Sequence, residues 1–230
     1  MKFTAKGRQY EVSKYGVISQ TDYKPYKYDK DYSAIYDKPE YASRSLTLQA
    51  MRYGFICAAH GRPINSLADC GYGNGAFMKF VKQQVPFVYG FDVTGVQVDG
   101  CYILPELVKA DVVTFWDCLE HIPDLSFIKD LPHETIAVSL PYCHFFTEGL
   151  EWLEKWRHLK PDEHIHHFTE FSLALTMDSL GWKTVAINHH EDIIRENWII
   201  NSVSKTKCGV FEEKEKSPLQ NILSMAFKRR

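Results

Sequence analysis

Apolar residues are not spread evenly along this chain but fall into short dense runs separated by glycine, proline and charge. Over residues 43–59 the positions Leu46, Leu48, Met51, Phe55 and Ile56 recur at near-helical spacing, and Gly61-Arg62-Pro63 ends the run. A helix stopped by Gly and Pro is the reading. The next runs are shorter and apolar on both sides: residues 66–70, 88–93, 112–116 and 135–140. Such runs predict parallel strands covered by helices on both faces. Residues 76–84 fit the helix that follows the first strand, and residues 170–180, ending at Gly181, fit a later one. Further strand candidates are 184–188 and 198–203, and residues 217–230 read as a basic terminal helix. The alternation of strand and helix is that of an α/β doubly wound sheet.

The first 45 residues break this pattern. They are rich in Tyr and Lys, with Tyr26, Tyr28, Tyr32 and Tyr36 close together, and they carry no sustained period. They predict an extension with an early hairpin, either packed on the domain or closing over a pocket as a lid. The expected organisation is therefore an extension at 1–45, one domain at 46–216 and the tail at 217–230.

Composition narrows the classes of function. With 45% hydrophobic residues in 230, one α/β domain can bury its own core. A net charge of -2 leaves no electrostatic footprint of a nucleic-acid binder. The six cysteines are scattered with no C-x-x-C pair, which suits a reducing cytoplasm. No leader is read at the N-terminus, and no run of eighteen apolar residues reads as a membrane span.

Chemistry is concentrated after the first strand, where Asp69-Cys70-Gly71-Tyr72-Gly73-Asn74-Gly75 leads into a helix. Glycines allow a tight turn and close backbone approach, and the free N–H groups at a helix start attract an anion. Gly71-x-Gly73-x-x-Ala76 also satisfies the dinucleotide fingerprint, with Asp92 where a ribose-binding acid belongs. The loop by itself admits both ligands. A short-chain dehydrogenase would need Tyr-x-x-x-Lys downstream, but the matches here, such as Tyr23/Lys27, all lie upstream.

Three segments together decide the matter: 67–75 around the glycine loop, Tyr89-Gly90-Phe91-Asp92-Val93, and 111–124 with Trp116-Asp117-Cys118-Leu119-Glu120-His121. In order and spacing they resemble the class I S-adenosylmethionine-dependent methyltransferases. The run from Glu163 to Leu173 and Leu180-Gly181-Trp182 is similar to the subgroup of ubiquinone-biosynthesis-like and sugar O-methyltransferases. The resemblance spans about 66–203. It implies a Rossmann-like sheet of about seven strands, mostly parallel with the last strand antiparallel, and S-adenosylmethionine as cofactor. It further implies that Asp69, Cys70, Gly71, Gly73 and Gly75 form the cofactor loop. Asp92 and Val93 would meet the ribose end, and Asp117, Cys118 and Leu119 the methionine arm. The 17 residues from Val93 to Lys109 are too few for the helix and further strand that the family usually fits there. The sheet is thus shortened after its second strand, and a non-catalytic relative that only holds the cofactor stays open as an alternative, as does an NAD(P)-dependent oxidoreductase.

For transfer itself, histidine suits removal of an acceptor proton near neutral pH. His121, His166 and His167 are the candidates. The cluster His158, His164, His166 and His167 has no standard zinc spacing, and no metal is expected there. The acceptor expected is a small molecule or glycan.

Overall fold

The computed structural model describes residues 1–28, 39–195 and 220–230. Two sheets organise it. The small one runs β1 (Lys2–Ala5), β2 (Arg8–Val12), β3 (Ile18–Gln20) and β9 (His166–His167), all antiparallel. The large one contains β4 (Ser66–Cys70), β5 (Phe87–Phe91), β6 (Tyr102–Ile103), β7 (Val112–Trp116), β8 (Thr135–Pro141), β10 (Trp182–Asn188) and β11 (Ile222–Arg229). Its spatial order is β10-β11-β8-β7-β4-β5-β6. The pairs from β8 across to β6 are parallel, and β11 is antiparallel to both its neighbours.

Helix α1 (Pro39–His60) precedes β4 and stops where Gly61 takes φ +75 and its N–H bonds Cys57 O at 3.0 Å. A left-handed glycine just past the last turn is the usual way to end a helix. Helix α2 (Ala76–Val81) follows the glycine loop, α3 (Phe145–Lys155) follows β8, α4 (Glu170–Ser179) follows β9, and α5 (Glu191–Arg195) follows β10. Thr169 and Ser172 bond reciprocally at the start of α4, the capping box that fixes its entry.

Both faces of the large sheet are covered at its centre, where β7, β8 and most of β11 are buried. Phe115, Leu173, Trp182 and Phe227 belong to the core on the α4 side, and Ile56, Leu67, Met78 and Val112 to the core under α1 and α2. That is why β7 and β8 read as unbroken apolar runs. A third cluster, with Tyr10, Ile18, Leu153 and Trp156, ties the small sheet to α3.

One expectation changes. Residues 222–229 form a central strand, not a terminal helix. Ile222 to Phe227 are all buried between β8 and β10, and ladder pairing with two neighbours outweighs the helical preference of Leu, Met and Ala. Within the N-terminal extension, β1 pairs with β2, β2 with β3, and Ile18 and Ser19 of β3 pair with His167 and His166 of β9. The strand candidate 198–203 and residues Tyr32 and Tyr36 lie outside the described residues. After Asp92 there is no helix before Val112 and only the two-residue β6, as the shortened segment requires.

Candidate active site

The glycine loop turns at the carboxyl end of β4, where strand β7 ends alongside it. Gly71 must be glycine there, because its φ is +70 and a Cβ would stand 2.4 Å from Cys118 Sγ. Gly71, Tyr72, Gly73 and Asn74 line one side of a cavity of about 420 Å³. Asp117, Glu120, His121, His158 and His164 line it as well. This volume lies in the range of small-ligand sites, and ligands of open α/β sheets bind at this end of the strands.

Residues expected at the cofactor divide into four groups. Gly71, Gly73 and Asp117 border the cavity. Asp69, Cys70 and Leu119 are buried in the sheet or the core beside it, and Asp69 Oδ1 accepts from Thr114 Oγ1 at 2.7 Å. Burial raises the Asp69 carboxyl to about 7, against the Thr114 bond that lowers it. Gly75 backs onto Val98 and Cys118 onto Gly71, both as packing. A hydrogen bond with Cys70 and burial push the Cys118 thiol well up.

Asp92 stands behind the loop. Its Oδ2 accepts from Gly73 N at 2.9 Å, and its Oδ1 from Thr94 N at 2.8 Å and Thr94 Oγ1 at 2.7 Å. A carboxylate offers about four acceptor positions, so these three bonds leave capacity for one more donor. Val93 beside it is 76% exposed.

Asp117 ends β7 with φ +51. Burial would raise its carboxyl, but the guanidiniums of Arg195 and Arg52 hold it far below the usual range. Arg52 of α1 bonds Asp117 at 3.0 Å and Glu191 of α5 at 2.9 Å, with its guanidinium 4.8 Å over the Trp116 ring. Arg195 bonds both of the same acids. These partners lie up to 139 positions apart in the chain, and no local pattern marks them.

The candidate histidines separate. His121 faces the cavity, with its Nδ1 2.7 Å from Glu163 O and 2.8 Å from Tyr28 Oη. His166 instead bonds Ser19 Oγ at 2.8 Å and Pro123 O at 3.1 Å. His167 is 2% exposed against Tyr10 and Trp156, and burial lowers it to about 3. Neither lines the cavity. His158 and His164 do, and burial lowers them to about 4 and about 2. Alternation along the extended segment puts His164 on the cavity side and His167 in the small sheet's core.

A seven-stranded sheet with one antiparallel strand between its fifth and last parallel members, and a glycine loop open to a cavity, define the class I S-adenosylmethionine-dependent methyltransferases. Residues 41–187 match the family described as "Methyltransferase domain", and the chain belongs to that family. No curated protein matches the sequence. Solved structures share the fold at low identity. One is an S-adenosylmethionine-dependent methyltransferase from Clostridium acetobutylicum, 8% identical, covering 87% of this chain and 98% of that one at a TM-score of 0.53. Another is magnesium protoporphyrin IX methyltransferase from Synechocystis PCC 6803 with bound SAH, 14% identical over 83% and 85% at 0.51. A third comes from the complex of the Haloferax volcanii Trm112 methyltransferase activator with a methyltransferase, 10% identical over 87% and 96% at 0.53. Among the described residues no helix is long and apolar enough to cross a membrane.

Proposed function

We propose that the chain transfers a methyl group from S-adenosylmethionine to an oxygen or nitrogen of a small-molecule or sugar-like acceptor, in the cavity between the glycine loop and His121. The observation that carries this reading is the shared cavity: Gly71, Gly73 and Asn74 on one side, His121, His158 and His164 on the other.

S-adenosylmethionine supplies an electrophilic methyl on sulfonium, so the protein's work is to position the acceptor and take up its proton. The backbone at Gly71 to Asn74 would hold the methionine end, Asp92 a ribose hydroxyl, and His121 the acceptor. His121 is suited because the Glu163 carbonyl fixes its Nδ1 as the donor and leaves Nε2 as the acceptor. His166 and His167 contribute by holding β9 to β3. The five described cysteines are all free thiols, in keeping with a cytoplasmic protein. A non-catalytic relative is the second reading, favoured by the shortened segment after Asp92.

Calorimetry with S-adenosylmethionine, S-adenosylhomocysteine, NAD and NADP tests the first step: heat is expected with the first two alone. Transfer of labelled methyl to an extract-derived acceptor pool, abolished in His121→Ala with cofactor affinity unchanged, tests the second. Binding without any labelled product would favour the non-catalytic reading, and binding of NAD alone would overturn both.

A further inference from the structure

Glu120 is the anomalous group of the cavity wall. The residue is 2% exposed, and neither carboxylate oxygen has a hydrogen-bond partner among the described residues. A buried acceptor left without a donor costs roughly 1–3 kcal/mol, and more when charged, so native structures rarely keep one without a use. Two imidazoles stand beside it. His121 Nε2 lies 3.9 Å from Glu120 Oε1, and the His164 ring meets the His121 ring edge-on at 4.7 Å between centroids. One donor atom from each of the three falls within 4.8 Å of the others. His164 Nδ1 is also buried with no hydrogen-bond partner. Three groups with ligand atoms this close, and with no hydrogen bond joining them, are poor packing unless something sits among them.

We infer that Glu120, His121 and His164 form a site for one divalent transition-metal cation, whose open positions receive a hydroxyl-bearing acceptor beside the glycine loop. The chemical half rests on the methyl-transfer reading; the cation site does not. The sequence expectation of no metal weighed His158, His164, His166 and His167 and left out Glu120, which is 44 positions from His164.

The surroundings fit this assignment. A histidine that binds a metal usually donates its other ring N–H to a carbonyl or carboxylate, and His121 Nδ1 meets the Glu163 carbonyl at 2.7 Å. Its Nε2 therefore keeps a lone pair on the Glu120 side. Two imidazoles with one carboxylate suit zinc, iron(II), cobalt or manganese, whereas calcium and magnesium prefer all-oxygen sets. Bonds of about 2.0–2.2 Å to such an ion bring donors to roughly 3 Å apart, which modest side-chain rotations achieve.

Three protein ligands leave positions open. A hydroxyl bound there becomes more acidic. With His121 Nε2 on the cation rather than acting as the base, the hydroxyl proton passes to solvent, the oxygen forms a bond to the methyl carbon, and the carbon–sulfur bond breaks with its electron pair going to sulfur. The products are a methyl ether, neutral S-adenosylhomocysteine and one proton.

The test uses the full chain, stripped with chelator and dialysed separately against zinc, cobalt or manganese salts. Elemental analysis should find close to one ion per chain for at least one of them, and the cobalt form should show visible d–d absorption. Glu120→Gln and His164→Ala should each weaken uptake at least about tenfold, with S-adenosylhomocysteine affinity unchanged. If either variant fails to fold, manganese added to the parent protein should broaden the imidazole signals of His121 and His164 first among the histidines. Absence of stoichiometric metal in a parent protein that binds S-adenosylhomocysteine would overturn the site. So would full uptake by folded Glu120→Gln, or broadening centred on His166. Metal uptake without S-adenosylhomocysteine binding would instead overturn the methyl-transfer reading and leave the site standing.

Discussion

Arg195 Nη2 lies 2.6 Å from Asp117 Oδ2, so a cation from α5 closes on the carboxylate where β7 gives way to the cavity. Arg52 approaches the same oxygen from α1 at 3.0 Å, and Glu191 accepts from both guanidiniums. Two helices distant in sequence thus meet over the end of a central strand through charge, with Trp116 stacked beneath Arg52. Arg52 and Glu191 are buried, whereas Asp117 and Arg195 are only partly so, and removing Arg52 leaves the buried Glu191 carboxylate short of a partner.

Replacing Arg52 by Met should therefore destabilise the fold by about 3 kcal/mol, read as a lowered urea midpoint. The Arg62–Glu134 pair is the control, since its side chains are 51% and 58% exposed. Arg62→Met should stay within about 0.5 kcal/mol of the parent. Equal effects would mean that burial of the cluster is not what stabilises it.

Gly71→Ala adds a methyl 2.4 Å from Cys118 Sγ at a φ of +70. Backbone strain and overpacking together should cost about 2 kcal/mol, with S-adenosylhomocysteine affinity falling in the same sample. A second change, Cys118→Ala, should recover only part of the loss, because the backbone strain remains. Full recovery would show that the thiol alone sets the requirement for glycine.

Asp92→Ala removes three bonds to the loop and to Thr94 as well as the ribose acceptor. Cofactor binding should weaken by about 2 kcal/mol, roughly 30-fold. Asp92→Asn, which keeps one acceptor oxygen, should lose less. Calorimetric affinities that match the parent would place the ribose elsewhere.

Acid should destabilise the fold through buried neutral histidines. Burial lowers His133 to about 4 and His167 to about 3 from an ordinary 6.5. In the unfolded chain both imidazoles take protons below pH 6.5, while in the folded chain they do so only near their lowered values. Their contribution is complete above pH 6.5 and is lost as pH falls from there towards 4, at about 1 kcal/mol per pH unit for each. Asp69, raised to about 7, works in the opposite sense over this range, so the two histidines are isolated by comparing urea midpoints of the parent and a variant lacking both: the difference should be level from pH 7.5 to 7 and change by pH 5.5. A double variant, His133→Gln with His167→Gln, should show a shallower acid limb.

Much of the framework is legible in the sequence because it obeys local rules. Strands β4, β5, β7 and β8 are bounded by punctuation and largely apolar on both faces, and the glycine loop has the spacing of a turn that holds a ligand, which the two later segments around Asp92 and Asp117 make specific. The rest depends on distant partners. Strand β11 contains Leu, Met and Ala, which favour a helix in isolation, and only its place between β8 and β10 makes it extended. Strand β9 is two residues long and exists because Ile18 and Ser19 lie opposite it. The same holds at the site. His121 is visible beside the Asp117 to Leu119 loop, but the convergence of Arg52, Arg195 and Glu191, and of Glu120 with His164, joins segments that no period or motif connects.

The position of β11 also governs how the molecule can be assembled. Strand β10 touches the large sheet through β11 alone, yet 33 residues separate the end of β10 from the start of β11. During synthesis β8 must wait with a row of open amide and carbonyl groups, long and apolar on both faces, until β11 emerges. An edge of that kind is a template for any extended chain, including another copy of the same protein. A peptide carrying residues 222–229 should compete for that edge.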